Sequence, residues 1–254
     1  ARHAFVELLV ARADLRARAR DALREIRDIE RLLGRAALSR ATAHDLASLR
    51  GSLGALPELR ASLEAAEAPA TAERAARIDP IGELRDTLEV ALADEPTGVP
   101  GEGRVLREGY DEPLDECREL ARGSRRLIAE IESRERERTG IGSLKVRYNK
   151  VFGYFIEVSR ANLSRVPEDY ERRQTLANGE RFVTPEIKDL EQKILSAEER
   201  LAEREKELFE RLVRAVCEQT ARLKETAAAV ADVDALTGLA EVAAEQGYVR
   251  PEMT

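Results

Sequence analysis

Two long stretches in which apolar residues recur every three or four positions flank a short segment in which they recur every second one, and this order limits the chain to few architectures. From Asp111, a residue suited to cap a helix N-terminus, Leu114, Cys117, Leu120, Leu127 and Ile131 mark an inner stripe as far as about Arg138. A helix of that length spans about 40 Å. Beyond the interruption, Thr184 and Pro185 supply an N-cap and a proline at the first helical position. Ile187, Leu190, Ile194, Ala197, Leu201, Leu208, Leu212, Ala215 and Val216 then carry a second stripe to about Glu225, about 60 Å of helix. Stripes this narrow suit one partner each, so the two helices are predicted to pair antiparallel as an arm, with the interrupting segment at the tip and the remaining helices at the base.

Residues 139–181 between them alternate. Leu144, Val146 and Tyr148 share one side of a predicted strand, and Asn149-Lys150 is expected to form a tight turn. A second run, 151–159, places Phe152, Tyr154, Ile156 and Val158 on one face. A further pair, 172–176 and 180–184, is joined by Ala177-Asn178-Gly179, where Asn-Gly predicts a hairpin because both residues tolerate positive φ. An antiparallel sheet of about four strands follows. Between Gly140 and Pro185 eight Lys or Arg face five acids, a local excess of three positive charges on a chain whose net charge is −7. Six of its ten aromatic residues also lie there. A basic, aromatic-rich module on an acidic protein suggests contact with a polyanion. The same aromatics also serve as the core of a small sheet, and its charges as a solvated face.

Elsewhere the pattern is helical. Phe5, Leu8 and Leu9, then Leu15, Ala19, Leu23 and Ile26, then Ile29, Leu32, Leu33 and Leu38 give successive short helices. Thr42 caps another, with Asp45 in capping-box position, and Leu56-Pro57 is expected to end it. Residues 64–74 thin to a surface connection, a helix follows Asp79-Pro80, and the Pro- and Gly-rich run 93–104 is expected to be a loop. A last helix, 227–246, closes at Gly247. The reading is mainly α: a helical core (1–110), an outgoing helix (111–138), a β-rich segment (139–184), a returning helix (185–226) and a helical return to the core (227–254).

Composition excludes several classes. Charged residues make up 36% and aromatics 4%, the balance of long amphipathic helices. No run is long and apolar enough for a membrane span, the start has no secretion signal, and a cytoplasmic location is expected. Cys117 and Cys217 are expected to be reduced core residues, and His3 and His44 form no ligand cluster, so no metal or other cofactor is expected. Glu157, Glu168, Asp169 and Glu171 lack a matching His, Ser or metal set, so no enzyme is predicted. Charge runs such as residues 132–138 are expected to be solvated helix faces.

The runs SLKVRYNKVFGYFIEVSR and RRQTLANGERFVTPEIKDLE closely resemble the clamp region of the MutS family of DNA mismatch-repair proteins. IRDIERLLGRAALSRATAHDLASLRGSLGALPEL is similar to that family's core helices, and DVDALTGLAEVAAEQGYVRPEM to the segment before its ATPase domain. The resemblance implies a clamp on lever helices that closes with a second protomer over double-stranded DNA and touches phosphates without reading sequence. It carries Asn178 and Arg181 over as backbone contacts. Ala177 stands where a Lys is usual; Arg172 and Arg173, by charge and proximity, are expected to compensate, with Lys150 a further candidate. The resemblance also implies a homodimer, a MutL-like partner, and ATP with magnesium in the full-length protein. GxxxxGK[ST] is absent here, and a mismatch-wedging Phe-x-Glu element is not expected, so the chain is expected to be a core, lever and clamp fragment. Two other readings remain open: a coiled-coil arm whose tip binds a protein, or one that binds structured RNA.

Overall fold

The computed structural model describes residues 2–101, 104–149 and 151–251. The chain divides into two compact units, 1–110 with 207–254, and 111–206.

The first unit is helical. Its elements are α1 (Arg2–Ala11), α2 (Ala13–Glu25), α3 (Ile29–Ala37), α4 (Ala43–Glu64), α5 (Pro69–Ala75), α6 (Gly82–Ala91) and a hairpin of β1 (Leu92–Thr97) and β2 (Arg104–Leu106). It also holds α9 (Thr220–Gln246), which packs on α1, α2 and α3. Phe5, Leu9, Leu15, Leu46, Leu49, Leu53, Leu56 and Leu59 are fully buried. Thr42 and Asp45 form the predicted capping box: the Thr42 hydroxyl accepts from the Asp45 N–H, and the Asp45 carboxylate accepts from the Thr42 N–H. Arg74, 4% exposed, stacks on Phe5 with its guanidinium carbon 4.4 Å from the ring centre and donates to Asp232.

Four expectations for this unit change. Pro57 does not end α4, which runs through it. Leu53, Leu56, Leu59 and Leu63 lie on the buried side while Pro57 is half-exposed, and their burial offsets the lost hydrogen bond. The connection at 64–74 contains α5, with Pro69 in its first turn. The loop at 93–104 has paired flanks, since Leu92 lies opposite Leu106 and Thr97 opposite Arg104. Finally, helix is interrupted at Gln219 rather than near Glu225, with no Gly or Pro to mark it.

The second unit is a helical hairpin with a sheet at its turn. It comprises α7 (Glu112–Thr139), β3 (Lys145–Asn149), β4 (Gly153–Ser159), a 3₁₀ turn (Arg160–Arg165), β5 (Glu171–Thr175), β6 (Gly179–Val183) and residues 185–206 of α8 (Pro185–Glu218). Asp111 caps α7 by accepting from the Leu114 N–H, and Gly140 ends it at φ +68°. Thr184 caps α8 by accepting from the Ile187 N–H. Ion pairs Asp111–Arg204 and Arg118–Glu205 near one end, and Arg134–Glu186 near the other, show that the helices run antiparallel.

The inner face of α7 differs from the predicted stripe. Leu120 and Leu127 are 59% and 46% exposed, Cys117 is half-buried, and Ala121, Ile131 and Glu135 are buried. Leu114, Ala121, Ile128 and Glu135 stand seven residues apart on one seam, with Arg118 beside them. Charged residues at seam positions concealed it. Cys217 is likewise a half-buried free thiol rather than a core residue.

Candidate functional site: an exposed basic sheet

The four strands form one antiparallel sheet in the order β3-β4-β6-β5. Val146 lies opposite Ile156, Tyr148 opposite Tyr154, and Ile156 also opposite Phe182, which puts these side chains on one face. That face packs on Ile131, Ile187, Leu190 and Ile194 of the two helices. Ser159 lies opposite Gly179, and Asn149 opposite Gly153, so the two hairpin turns occupy opposite ends of β4, about 20 Å of strand apart.

Neither turn has the predicted form. The first leaves three residues between β3 and β4, with the Asn149 side chain accepting from the Val151 N–H and Gly153 at φ +74°. Phe152 therefore sits in a turn, 44% exposed, instead of on a strand face. In the second, neither Asn178 nor Gly179 has positive φ. Gly179 is needed for another reason: a Cβ there would collide with the Val158 carbonyl oxygen and come within 3.2 Å of Ser159 Cα. The turn closes through the Leu176 N–H donating to the Gly179 carbonyl.

The predicted contact residues separate on this frame. Asn178 is exposed and its side chain makes no hydrogen bond to another described residue, while its carbonyl accepts from the Arg160 N–H. Arg173 is exposed at a bulge where β5 carries one residue more than β6, without an ion pair to a described residue. Arg172 is 64% exposed yet paired to Glu180 at 3.1 Å. Arg181 is different. Its side chain is only 20% exposed, lies with its guanidinium carbon 4.3 Å from the Phe155 ring centre and donates to Gln174 at 2.7 Å. It is already committed to the sheet. Lys150 lies outside the described residues. Sequence reasoning missed Arg160, which is exposed without an ion pair to a described residue beside Asn178. Its 18-residue separation from Asn178 hid the proximity.

A buried carboxylate anchors the sheet to α7. Glu135, 6% exposed, accepts from the Tyr170 hydroxyl at 2.9 Å and from Arg138 at 2.8 Å, and Arg138 also donates to Asp169. Burial, and then the hydrogen bond to Glu135, push the Tyr170 phenol well above its ordinary range. Residues 132–138 are thus not wholly a solvated face. Lys188 holds the Glu171 carboxyl below its ordinary value through a hydrogen bond. Among the described residues, no three His, Cys, Asp or Glu come together as a metal site. No helix of the described residues is long and apolar enough to cross a membrane.

The fold and site together define a helical protein that presents a small sheet with exposed cations at the junction of two paired helices. Residues 109–200 match the model of MutS family domain IV. Over 251 residues, 99% of this chain, it is 49% identical to the DNA mismatch repair protein MutS of Symbiobacterium thermophilum. It is 51% identical over 248 residues to the same protein of Anaeromyxobacter sp. strain K, and 47% over 251 to that of Geobacillus thermodenitrificans. The chain belongs to the MutS family. It spans 29% of the Symbiobacterium relative's length and 28% of the other two. The pattern Phe-x-Glu does occur, at Phe5-Val6-Glu7 in α1 and Phe155-Ile156-Glu157 in β4, contrary to expectation. Both phenylalanines are buried, so neither is presented as a wedge.

Proposed function

We propose that this chain serves DNA mismatch repair by gripping the phosphate backbone of duplex DNA through the sheet of residues 139–184, without reading sequence. The observation that carries the reading is the group Asn178, Arg173 and Arg160, exposed and without a side-chain hydrogen bond or ion pair to a described residue, on a sheet of net positive charge. Arg172 joins them by exchanging Glu180 for phosphate, and Lys150 is a further candidate at the other turn. Cations of this kind position a protein on DNA and release counterions. Arg181 acts here by holding the sheet in shape. On the same reading, residues 111–138 and 185–226 are levers that link the grip to an ATP- and magnesium-dependent part of a longer homodimeric protein with a MutL-like partner.

Fluorescence anisotropy of a short duplex, perfect or mismatched, tests this across several salt concentrations. Expected is weak binding, in the range of about 10⁻⁴–10⁻⁶ M, that ignores the mismatch and falls with salt. An Arg160→Ala/Arg173→Ala variant should lose about two units of salt slope. No duplex binding at about 50 mM salt, or binding indifferent to salt, sinks the reading; preference for folded RNA or for a protein partner would replace it.

A further inference from the structure

The sheet face opposite the helix-packed one carries a cross-strand row that the residues at the hairpin ends leave unused. Lys145 of β3 lies opposite Glu157 of β4, Glu157 opposite Arg181 of β6, and Arg181 opposite Gln174 of β5. Arg147, two residues beyond Lys145, points to the same face and lies opposite Phe155. Phe155 is 3% exposed, although it stands on the side away from the helix-packed apolar cluster. The Arg181 guanidinium stacks over its ring. The face is therefore a charged surface built on one buried ring.

The charges on it are unequally engaged. Lys145 is exposed with no ion pair to a described residue. Arg147 is 53% exposed, and its nearest acid is Glu157 at 3.8 Å. Glu157 lies equally far, 3.8 Å, from Arg181 Nε, and that nitrogen is buried without a hydrogen-bond partner. At that distance the carboxylate lowers the local potential but forms no hydrogen bond with either guanidinium. Arg147 thus surrenders no hydrogen bond to Glu157 on turning to another anion. Glu171, opposite Val183 at the start of β5, is held by Lys188 at 2.6 Å. Two cations about 7 Å apart along one edge strand, with a single shared counterion, remain available.

We infer that this face is a second phosphate-binding strip for duplex DNA, carried by Lys145 and Arg147 and weakened by Glu157, with Arg181 as the positioning residue that keeps the strip flat. The inference rests on the duplex reading above and adds to it the β3 edge of the sheet, opposite the β5 edge that carries Arg172 and Arg173.

The experiment titrates a short perfect duplex with the 254-residue chain at several salt concentrations, beside Lys145→Ala/Arg147→Ala, Glu157→Gln and the reference pair Arg160→Ala/Arg173→Ala. Each substituted side chain in the Lys145/Arg147 and reference pairs is exposed, and unchanged thermal unfolding confirms an intact sheet. Expected for Lys145→Ala/Arg147→Ala is a salt slope reduced by about two, one unit for each phosphate no longer neutralised. Glu157→Gln should tighten binding several-fold at low salt. Wild-type slope and affinity in Lys145→Ala/Arg147→Ala, with the slope reduced by about two in the reference pair, would overturn the second strip and leave the duplex reading intact. Unchanged or weaker binding by Glu157→Gln would overturn the role given to that carboxylate. Failure of the wild-type chain to bind at any salt would remove both.

Discussion

Gly179 and Tyr170 show how single positions set the sheet. A methyl group at Gly179 must displace the backbone of β4 at Val158, so Gly179→Ala is expected to destabilise the protein by about 1–3 kcal/mol, measured by denaturant unfolding. An Ala variant as stable as the parent would show that the strands separate freely there. Tyr170 acts through its hydroxyl. Its folded-state pKa lies above the unfolded value of about 10, so its contribution is fully present below about pH 10 and disappears as pH rises through the folded value. The chain has five tyrosines and no tryptophan, so alkaline absorbance titration can follow them. Tyr170→Phe should remove the last component to ionise and cost about 2 kcal/mol at neutral pH, because the buried Glu135 loses a donor. If the final component survives in Tyr170→Phe, that assignment is wrong.

Among the elements, α4 tests local propensity against packing. Proline in a helix interior costs about 3 kcal/mol, and its stiffness in the unfolded chain returns about 1 kcal/mol. Pro57→Ala is therefore expected to stabilise the protein by about 2 kcal/mol, read as a higher denaturant midpoint at unchanged slope. A lower midpoint would mean that the proline ring itself packs. The seam of α7 was hard to find in the sequence because Arg118 and Glu135 occupy inner positions, satisfied by Glu205 and by Tyr170 and Arg138. A search for apolar residues alone selected Leu120 and Leu127 instead, which are exposed. The β1–β2 hairpin escaped notice for a similar reason. Its flanks lack alternation, and its pairing joins residues on either side of a Pro- and Gly-rich run.

At the scale of the molecule, the proposed levers need continuous helix through residues 185–206. Leu201→Pro removes a hydrogen bond and forces a kink there. In a full-length protein carrying this chain, it is expected to speed dissociation from duplex DNA while leaving the salt slope set by the sheet unchanged; an unaltered dissociation rate would refute the lever. The sequence by itself determined the helix-sheet-helix order, the caps at Thr42, Asp111 and Thr184, the stop at Gly247 and the mainly helical class, because periodicity and capping are properties of neighbouring residues. It also carried the family, through an ordered string of residues in 139–184. Tertiary structure alone decided that Pro57 is tolerated, that Gly179 serves close packing, that Arg181 is bound to Phe155 and Gln174, and that Arg160 stands beside Asn178. Each depends on strands or helices meeting across many residues, where burial and the pairing of polar groups outweigh local preference.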